Sequence, residues 1–261
     1  MVTDEDRETV QGKVTELQDA QQEAAGAPRL TGEPGEFTVA AAFSDPPFEV
    51  ERNGQDTGFD IELMRAISAE LGLVVRFIKY AGDDFNGVFD GLTDGRYDAV
   101  ISGTTITPDR QQVALFSDPY LEFNQGLIVN RVRTPQVHST GDLRGLVAGI
   151  QRGNTSDAVA RKLLAEGAIA QIRYYPYTGI FDALDDLTAG RIGAVIKLFP
   201  VALTLIRDRP DLAVVQQIPT HEQLGIAFAK TNVALRDAVN GALAALKQRG
   251  TFDSLCRAWL P

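Results

Sequence analysis

The chain has 261 residues, 44% of them hydrophobic, and a formal net charge of −10 at pH 7. This length and apolar content suffice for one large core or two smaller ones. No run approaches the roughly 18 consecutive apolar residues of a membrane span, and the acidic excess argues against a nucleic-acid backbone as partner, since phosphate binding needs a basic face.

The residues that most often ligate metals or act as nucleophiles are scarce. Cys256 is the only cysteine, which excludes an intrachain disulfide and a cysteine-based metal site. The two histidines, His138 and His221, stand in no metal-binding or catalytic pattern. We therefore expect no metal, no cofactor and no catalytic residue.

The predicted elements begin with an N-terminal region, residues 1–36, that holds a polar helix and a linker rich in proline and glycine. The opening MVTDEDRETV lacks the basic start and the apolar stretch of an export signal. Two interpretations stay open: a cytoplasmic protein, or an exported protein whose leader is absent from this sequence.

From residue 37 onward, strand and helix signals alternate. Asp60 is predicted to cap the first helix of this part, and Gly72 to end it. The predicted helices cover residues 61–71, 158–166, 200–207 and 232–249, with one that Asp84 caps and a short one ending near 259. The predicted strands cover residues 37–43, 73–78, 97–102, 126–130, 146–150, 172–175, 194–198, 212–217 and 224–228. This alternation predicts an α/β fold with mostly parallel sheets flanked by helices.

One pattern occurs twice, in residues 89–103 (FDGLTDGRYDAVISG) and 184–198 (LDDLTAGRIGAVIKL). Each copy reads as the end of a helix, a glycine stop and a short apolar strand. Two copies predict two similar lobes. Because ligands of open α/β sheets bind beyond the carboxyl ends of the strands, we expect the ends of both copies to face a shared cleft.

The last strand and helices have no counterpart after the first copy, so they are expected to return to the first lobe. Lobe 1 is then residues 37–130 with 224–261, and lobe 2 is residues 131–223. The chain would cross between the lobes near 130–133 and near 219–223. Two crossings make a hinge with one soft bending axis.

The segment SGTTITPDR is the richest candidate for a site. Ser102, Gly103 and Thr105 follow a strand end, and a helix with proline at its first position begins after them. Free N–H groups at a helix start attract anions, and the planar fork of Arg110 suits a carboxylate. The alternative is a capped turn with a solvated arginine.

A similar turn follows the strand predicted at 146–150. Gly153, Asn154 and Thr155 form a second turn at a helix start, where successive N–H groups can also hold an anion. Such turns are common and are usually only structural.

Taken together, these motifs resemble those of the periplasmic amino-acid-binding proteins of bacterial ABC importers, the polar amino acid family of solute-binding proteins. The matching runs are PF (47–48), GFD (58–60), YDA (97–99), ISGTTITPDR (101–110), FSDPY (116–120), QRGNTS (151–156) and the C-terminal residues 250–259. The resemblance covers residues 37–261. It implies a two-lobed periplasmic-binding-protein fold with two hinge crossings.

The resemblance also implies a function. The expected protein binds a small carboxylate-bearing solute without chemical change and delivers it to the membrane subunits of an ABC importer. It is expected to be a monomer with a periplasmic or extracytoplasmic location. Arg110 and the N–H groups around Gly103 and Thr105 would bind the carboxylate, and Thr155 with its neighbours would close on it. Phe59 would pack on the ligand's side chain, although a phenylalanine here is equally a core residue.

Two departures from the family pattern bear on the ligand. The family usually has an acidic residue for the ligand's ammonium where this chain has Leu198, and an aromatic residue where it has Asp45. Either Asp45 supplies the negative charge, or the ligand carries no ammonium. Lys197, with Arg110, favours an acidic amino acid or an organic acid, while strand alternation also allows Lys197 to point to solvent.

Two other function classes are compatible with the same fold. An enzyme resembling cyclohexadienyl dehydratases would need an acid in the cleft with a raised pKa, for which Asp45 is the candidate. A ligand-sensing module of a receptor is the other. The binding protein is the reading that we favour.

Overall fold

The structure, a computed structural model, describes residues 30–261. The predicted N-terminal helix and most of the linker lie outside the described residues. The strands are β1 (Glu36–Ala41), β2 (Val50–Arg52), β3 (Gln55–Thr57), β4 (Val74–Lys79), β5 (Ala99–Val100), β6 (Ala114–Phe116), β7 (Leu121–Asn130), β8 (Val147–Gln151), β9 (Gln171–Tyr175), β10 (Ala194–Leu198), β11 (Leu212–Leu224) and β12 (Ala227–Ala229).

Helices alternate with these strands. They are α1 (Phe59–Glu70), α2 (Asp90–Thr93), α3 (Pro108–Val113), α4 (Ser156–Ala165), α5 (Ile180–Ala189), α6 (Phe199–Leu205), α7 (Val233–Gln248) and α8 (Thr251–Trp259). Two short 3₁₀ helices cover Phe85–Phe89 and Thr140–Asp142. Within the described part of the chain, no helix has the length and apolar character to cross a bilayer.

Two five-stranded sheets form the two lobes. The first has the order β4-β1-β5-β12-β6, and the second has the order β11-β7-β10-β8-β9. In the first sheet only β12 runs against the other strands, and in the second only β7 does. The sheets are therefore mixed but mostly unidirectional, and the predicted α/β fold with two lobes is confirmed.

The two copies of the repeated pattern occupy corresponding places. The first contributes α2 and the central strand β5, and the second contributes α5 and the central strand β10. Between helix and strand, Gly95 and Gly190 have φ of 70° and 77°, a left-handed conformation that glycine adopts without steric cost. The glycine stop predicted from the sequence is thus a backbone requirement in both lobes.

One lobe boundary differs from the prediction. The strand expected at 126–130 begins at Leu121, and it pairs with β10 and β11 in the second sheet. The chain therefore enters the second sheet before Leu121 and not near 130–133. The first residues of β7, from Leu121 to Asn124, alternate apolar and polar side chains and none is buried, so they form no continuous apolar run that marks them as a strand.

The two crossings run side by side. Leu121 pairs with Leu224, and Phe123 pairs with Glu222, so the segment that enters the second sheet lies against the segment that leaves it. Thr105 of the first lobe bridges to Leu224 at the same place. Two adjacent strands at one edge of the contact between the lobes are compatible with a hinge.

Helix α1 begins one residue before its predicted cap. Gly58 is its N-cap, with φ of 126°, and a Cβ there would lie 2.3 Å from the carbonyl oxygen of Phe48. Asp60 is instead a buried residue of the first turn. Its side chain therefore serves a contact with another part of the lobe, which is described below.

The lobes contact one another directly. Tyr177, from the loop between β9 and α5, is fully buried in the core of the first lobe, and its ring centroid lies 4.9 Å from that of Phe85. The N–H of Tyr177 donates to the carbonyl oxygen of Asp83 at 2.7 Å, and the N–H of Phe85 donates to that of Arg152 at 3.2 Å. The cleft is therefore closed.

Candidate functional site

A small cavity of about 10 Å³ lies between the lobes at the carboxyl ends of the central strands. A space of this size holds about one water molecule. Eight residues singled out from the sequence line it, namely Asp45, Ser102, Gly103, Thr105, Arg110, Asn154, Thr155 and Lys197. Because both lobes contribute walls, a larger ligand can enter only when the lobes separate.

Arg110 points inward and not to solvent. Thr107 caps α3 by accepting from the N–H of Arg110 at 3.2 Å, and Pro108 is the first helical residue, as predicted. The Arg110 side chain is 6% exposed and lies over the rings of Phe85 and Phe89, at 5.0 and 5.5 Å from their centroids. The interpretation as a solvated arginine is therefore wrong.

The guanidinium group of Arg110 is held by neutral oxygens from both lobes. It donates to the carbonyl oxygens of Thr105 and Gly153, each at 2.9 Å, and to Oδ1 of Asn86 at 3.2 Å. Burial lowers the pKa of Arg110 to about 10, an effect that attraction to Glu222 opposes. Arg110 is thus still charged at neutral pH, and it forms no ion pair with any carboxylate of residues 30–261.

The turn at Ser102 and Gly103 is already bonded within lobe 1. The N–H of Gly103 donates to Oδ2 of Asp60 at 2.6 Å, and Oγ of Ser102 accepts from the N–H of Ala42 at 3.2 Å. The N–H of Gly103 is predicted from the sequence to bind the ligand's carboxylate, but in this structure it already donates to the carboxylate of Asp60. Burial raises the pKa of Asp60 to about 7, although the bonds from Gly103 and Tyr120 act to lower it.

On the second lobe, the start of α4 faces the cavity. Thr155 is the N-cap, but its side chain makes no capping bond, and its hydroxyl donates to Oε2 of Glu222 at 2.7 Å. Oγ of Ser156 is buried without a hydrogen-bond partner. The N–H groups of Asp157 and Ala158 donate to the carbonyl oxygens of Asn154 and Thr155 at 3.1 Å, so the features that suit this helix start to an anion are its positive end and the unpartnered hydroxyl.

Lys197 points into the cleft, so the alternative that it faces solvent is wrong. Its Nζ lies 2.6 Å from Oδ1 of Asp45 and donates to Oε1 of Gln151 at 2.6 Å. The hydroxyl of Tyr177 donates to Oδ2 of Asp45 at 2.9 Å. Lys197 comes from the second lobe and Asp45 from the first, so this buried ion pair joins the lobes.

Phe59 does not line the cavity. It is fully buried at the start of α1, among the rings of Phe48, Tyr120 and Phe252 at centroid distances of 5.7 to 6.3 Å. The predicted packing of Phe59 on a ligand is therefore corrected to a role in the core. Gly153 is also absent from the walls of the cavity, but its carbonyl oxygen holds Arg110.

Sequence reasoning missed several residues of the site. Those that line the cavity are Phe85, Gln125, Ser156 and Tyr177. Tyr177 follows the end of β9, so the rule that ligands bind beyond strand ends could have found it. Gln125 stands inside a buried strand, and Glu222 lies at an irregularity of β11, where no local motif marks them.

The two-lobed fold agrees with what the chain is similar to. The family model for bacterial extracellular solute-binding proteins, family 3, matches residues 37–261, and the chain belongs to this family. Members related to it are solute-binding proteins of amino acid ABC transporters.

Among its relatives is the ABC transporter arginine-binding protein 1 of Escherichia coli (strain K12), 32% identical over 86% of this chain and 90% of the relative. An ancestral arginine-binding protein bound to arginine is 33% identical, with a TM-score of 0.79 over 87% of this chain and 99% of that one. The ancestral amino acid-binding protein AncCDT-1, described as a precursor of cyclohexadienyl dehydratase, is 33% identical, with a TM-score of 0.78 over 87% and 96%.

Proposed function

We propose that the cleft binds an amino acid by its carboxylate, with Arg110 as the principal partner, and that the protein delivers this ligand to an ABC importer. The observation that carries the proposal is a buried arginine that has no anionic partner in the described part of the chain, at a cavity walled by both lobes. A buried cation without a counter-ion is costly, so an anionic ligand stabilises the closed form.

The donors near Arg110 support a carboxylate. The start of α4 offers N–H groups at the positive end of a helix, and the unpartnered hydroxyl of Ser156 adds a neutral donor. A planar carboxylate matches the planar guanidinium of Arg110 in a two-bond contact. To form it, the ligand displaces one of the carbonyl oxygens that hold Arg110 in the closed cleft.

The residues at the end of the cavity away from Arg110 indicate which kind of side chain the ligand has. Lys197 alone favours an acidic side chain, but Asp45 neutralises its charge in the closed cleft. The ion pair and the hydroxyl of Tyr177 together make this end polar. We therefore favour a polar amino acid, with an acidic amino acid or a related organic acid as the next choices.

A non-catalytic role follows from the state of the carboxyl groups. Asp45, the candidate general acid, is already engaged in an ion pair with Lys197, at 2.6 Å from Oδ1 to Nζ, and accepts from the hydroxyl of Tyr177. Burial raises the pKa of Asp60 and that of Glu49. Neither of these two carboxyl groups lines the cavity, and Asp60 is already bonded to the N–H of Gly103 and the hydroxyl of Tyr120.

Membership of a family of extracellular solute-binding proteins supports a periplasmic or extracytoplasmic location, with the membrane subunits of an amino acid importer as partners. We also propose that the protein acts as a monomer; both walls of the cavity come from one chain, so the site requires no second copy.

The proposal is tested by measuring the melting temperature with each of the 20 amino acids and with organic acids that lack the amine. A ligand that binds only the folded protein raises the melting temperature by mass action. We expect at least one polar or acidic amino acid to do so and to be recovered unchanged afterwards. No shift with any of these compounds, or loss of the compound during incubation, would refute the proposal.

A further inference from the structure

A buried carboxyl group without an ion-pair partner lies directly behind the wall of the cavity, bonded to three of the residues that line it. Glu222 is 8% exposed, and no lysine, arginine or histidine of residues 30–261 forms an ion pair with it. Its Oε2 accepts from the hydroxyls of Thr105 and Thr155, each at 2.7 Å, and its Oε1 accepts from Nε2 of Gln125 at 2.7 Å. All three donors are neutral, and all three residues line the cavity.

An acceptor atom beside Glu222 also lacks a partner. Gln125 uses its Nε2 atom for Glu222 and for the hydroxyl of Thr155, whereas its Oε1 atom is buried with no hydrogen bond. An amide oxygen can only accept, so the group that satisfies it must be a donor. A buried polar atom of this kind costs free energy until such a donor arrives.

Thr105 connects this negative charge to the positive one. Its carbonyl oxygen accepts from Arg110, and its hydroxyl donates to Glu222. A cation and an anion are thereby held on opposite sides of one residue, and they do not neutralise each other by direct contact. This arrangement is the electrostatic complement of a small zwitterion, whose carboxylate and ammonium lie on neighbouring atoms.

From this geometry we infer that Glu222 is the counter-ion for the ligand's ammonium, and that Gln125 Oε1 is a second acceptor for it. The ligand is then a zwitterionic α-amino acid, and an organic acid without the amine is rejected because it leaves Glu222 without a counter-ion and Gln125 Oε1 without a hydrogen bond. This inference rests on the proposed function, in which Arg110 binds the carboxylate of the same molecule. Asp45 is then not the partner of the ligand's ammonium, because its charge is already paired with Lys197.

The test uses matched pairs of probes that differ only in the amine. They are L-glutamate with glutarate, L-glutamine with glutaramate, and L-arginine with 5-guanidinopentanoate. Dissociation constants are measured by calorimetry for the wild type, for Glu222→Gln, which keeps the shape and removes the charge, and for Glu122→Gln. Glu122 is an exposed carboxylate on the adjacent strand, so its variant controls for the loss of one negative charge.

We expect the wild type and Glu122→Gln to bind at least one amino acid about tenfold or more tightly than its partner without the amine. Glu222→Gln should lower the affinity for that amino acid to that of its partner. Equal binding of both members of a pair by the wild type, a comparison that requires no variant, would overturn the inference and leave the proposed function intact. The inference would also be overturned, with the proposed function intact, if Glu222→Gln kept the full wild-type preference for the amino acid over its analogue without the amine. The proposed function falls by a separate result, namely that none of the 20 amino acids raises the melting temperature of the wild type.

Discussion

Asp60 illustrates how a single buried carboxyl group orders the site at the cost of stability. It accepts from the N–H of Gly103 and from the hydroxyl of Tyr120, at 2.6 and 2.9 Å, and so fixes the turn that precedes Thr105. Because burial raises its pKa to about 7, the folded protein binds a proton that the unfolded chain releases near pH 4. The folded state therefore loses stability as the pH rises from about 4 to 7.

We predict that Asp60→Asn reduces the difference in unfolding free energy between pH 5 and pH 8 by an amount on the order of 2 kcal/mol. The amide does not titrate, so this part of the pH dependence disappears, while the part that burial alone gives Glu49 remains. Denaturant titration at the two pH values measures it. Asp94→Asn, at an exposed position of the same lobe, serves as control and should behave as the wild type does. An unchanged difference in Asp60→Asn would contradict the assignment.

Gly153 shows how one turn between elements governs closure. It has φ of 77°, and a Cβ on it would lie 2.2 Å from Oδ1 of Asp84 and 2.6 Å from the N atom of Phe85, both in the other lobe. Gly167 has φ of 69° with nothing within 4 Å, so it shares the backbone strain but not the contact. The two positions form a matched pair within the second lobe.

Gly153→Ala should weaken ligand binding by about tenfold or more, because the closed cleft has no room for the methyl group. Gly167→Ala should leave the affinity unchanged. Both variants should lose about 1–2 kcal/mol of stability from the left-handed conformation alone. Calorimetric titration with an amino acid that raises the melting temperature measures the affinities. Equal affinities in the two variants would show that the lobes do not close around Gly153 when the ligand binds.

At the level of elements, the sequence predicted the alternation of strands and helices well but missed where residues from distant strands meet. The glycine stops at Gly95 and Gly190 and the capped helix at Pro108 follow from local rules of turn and helix geometry, whereas those rules left open whether Arg110 points inward or to solvent. The start of β7, the insertion of Tyr177 and the position of Glu222 depend on which lobe each segment pairs with. Because these three features depend on tertiary pairing, no local sequence pattern predicts them.

For the whole molecule, the ion pair of Lys197 with Asp45 is one of the contacts that hold the lobes together. We predict that Lys197→Met opens the unliganded protein, because it leaves Asp45 buried in the closed form without a cation, at a cost of about 3–5 kcal/mol. Small-angle X-ray scattering should then report a larger radius of gyration than that of the wild type.

The matched control is Arg209→Met, which removes an arginine paired with Asp185 within the second lobe, where the Asp185 side chain is 61% exposed. An exposed pair of this kind contributes at most about 1 kcal/mol, so the radius of gyration should not change. Equal dimensions for Lys197→Met and the wild type would mean that the pair does not stabilise closure.

The dissociation constant of an amino acid identified by its thermal shift, measured for Arg110→Met and for Arg76→Met, tests the central claim most directly. Arg76 is an exposed arginine paired with Glu36 at the edge of the first sheet, so its loss should leave the affinity at the wild-type value. Losing the buried partner of the ligand's carboxylate should weaken binding by about 100-fold or more. An affinity for Arg110→Met equal to that of the wild type, in a variant that still folds, would contradict the account.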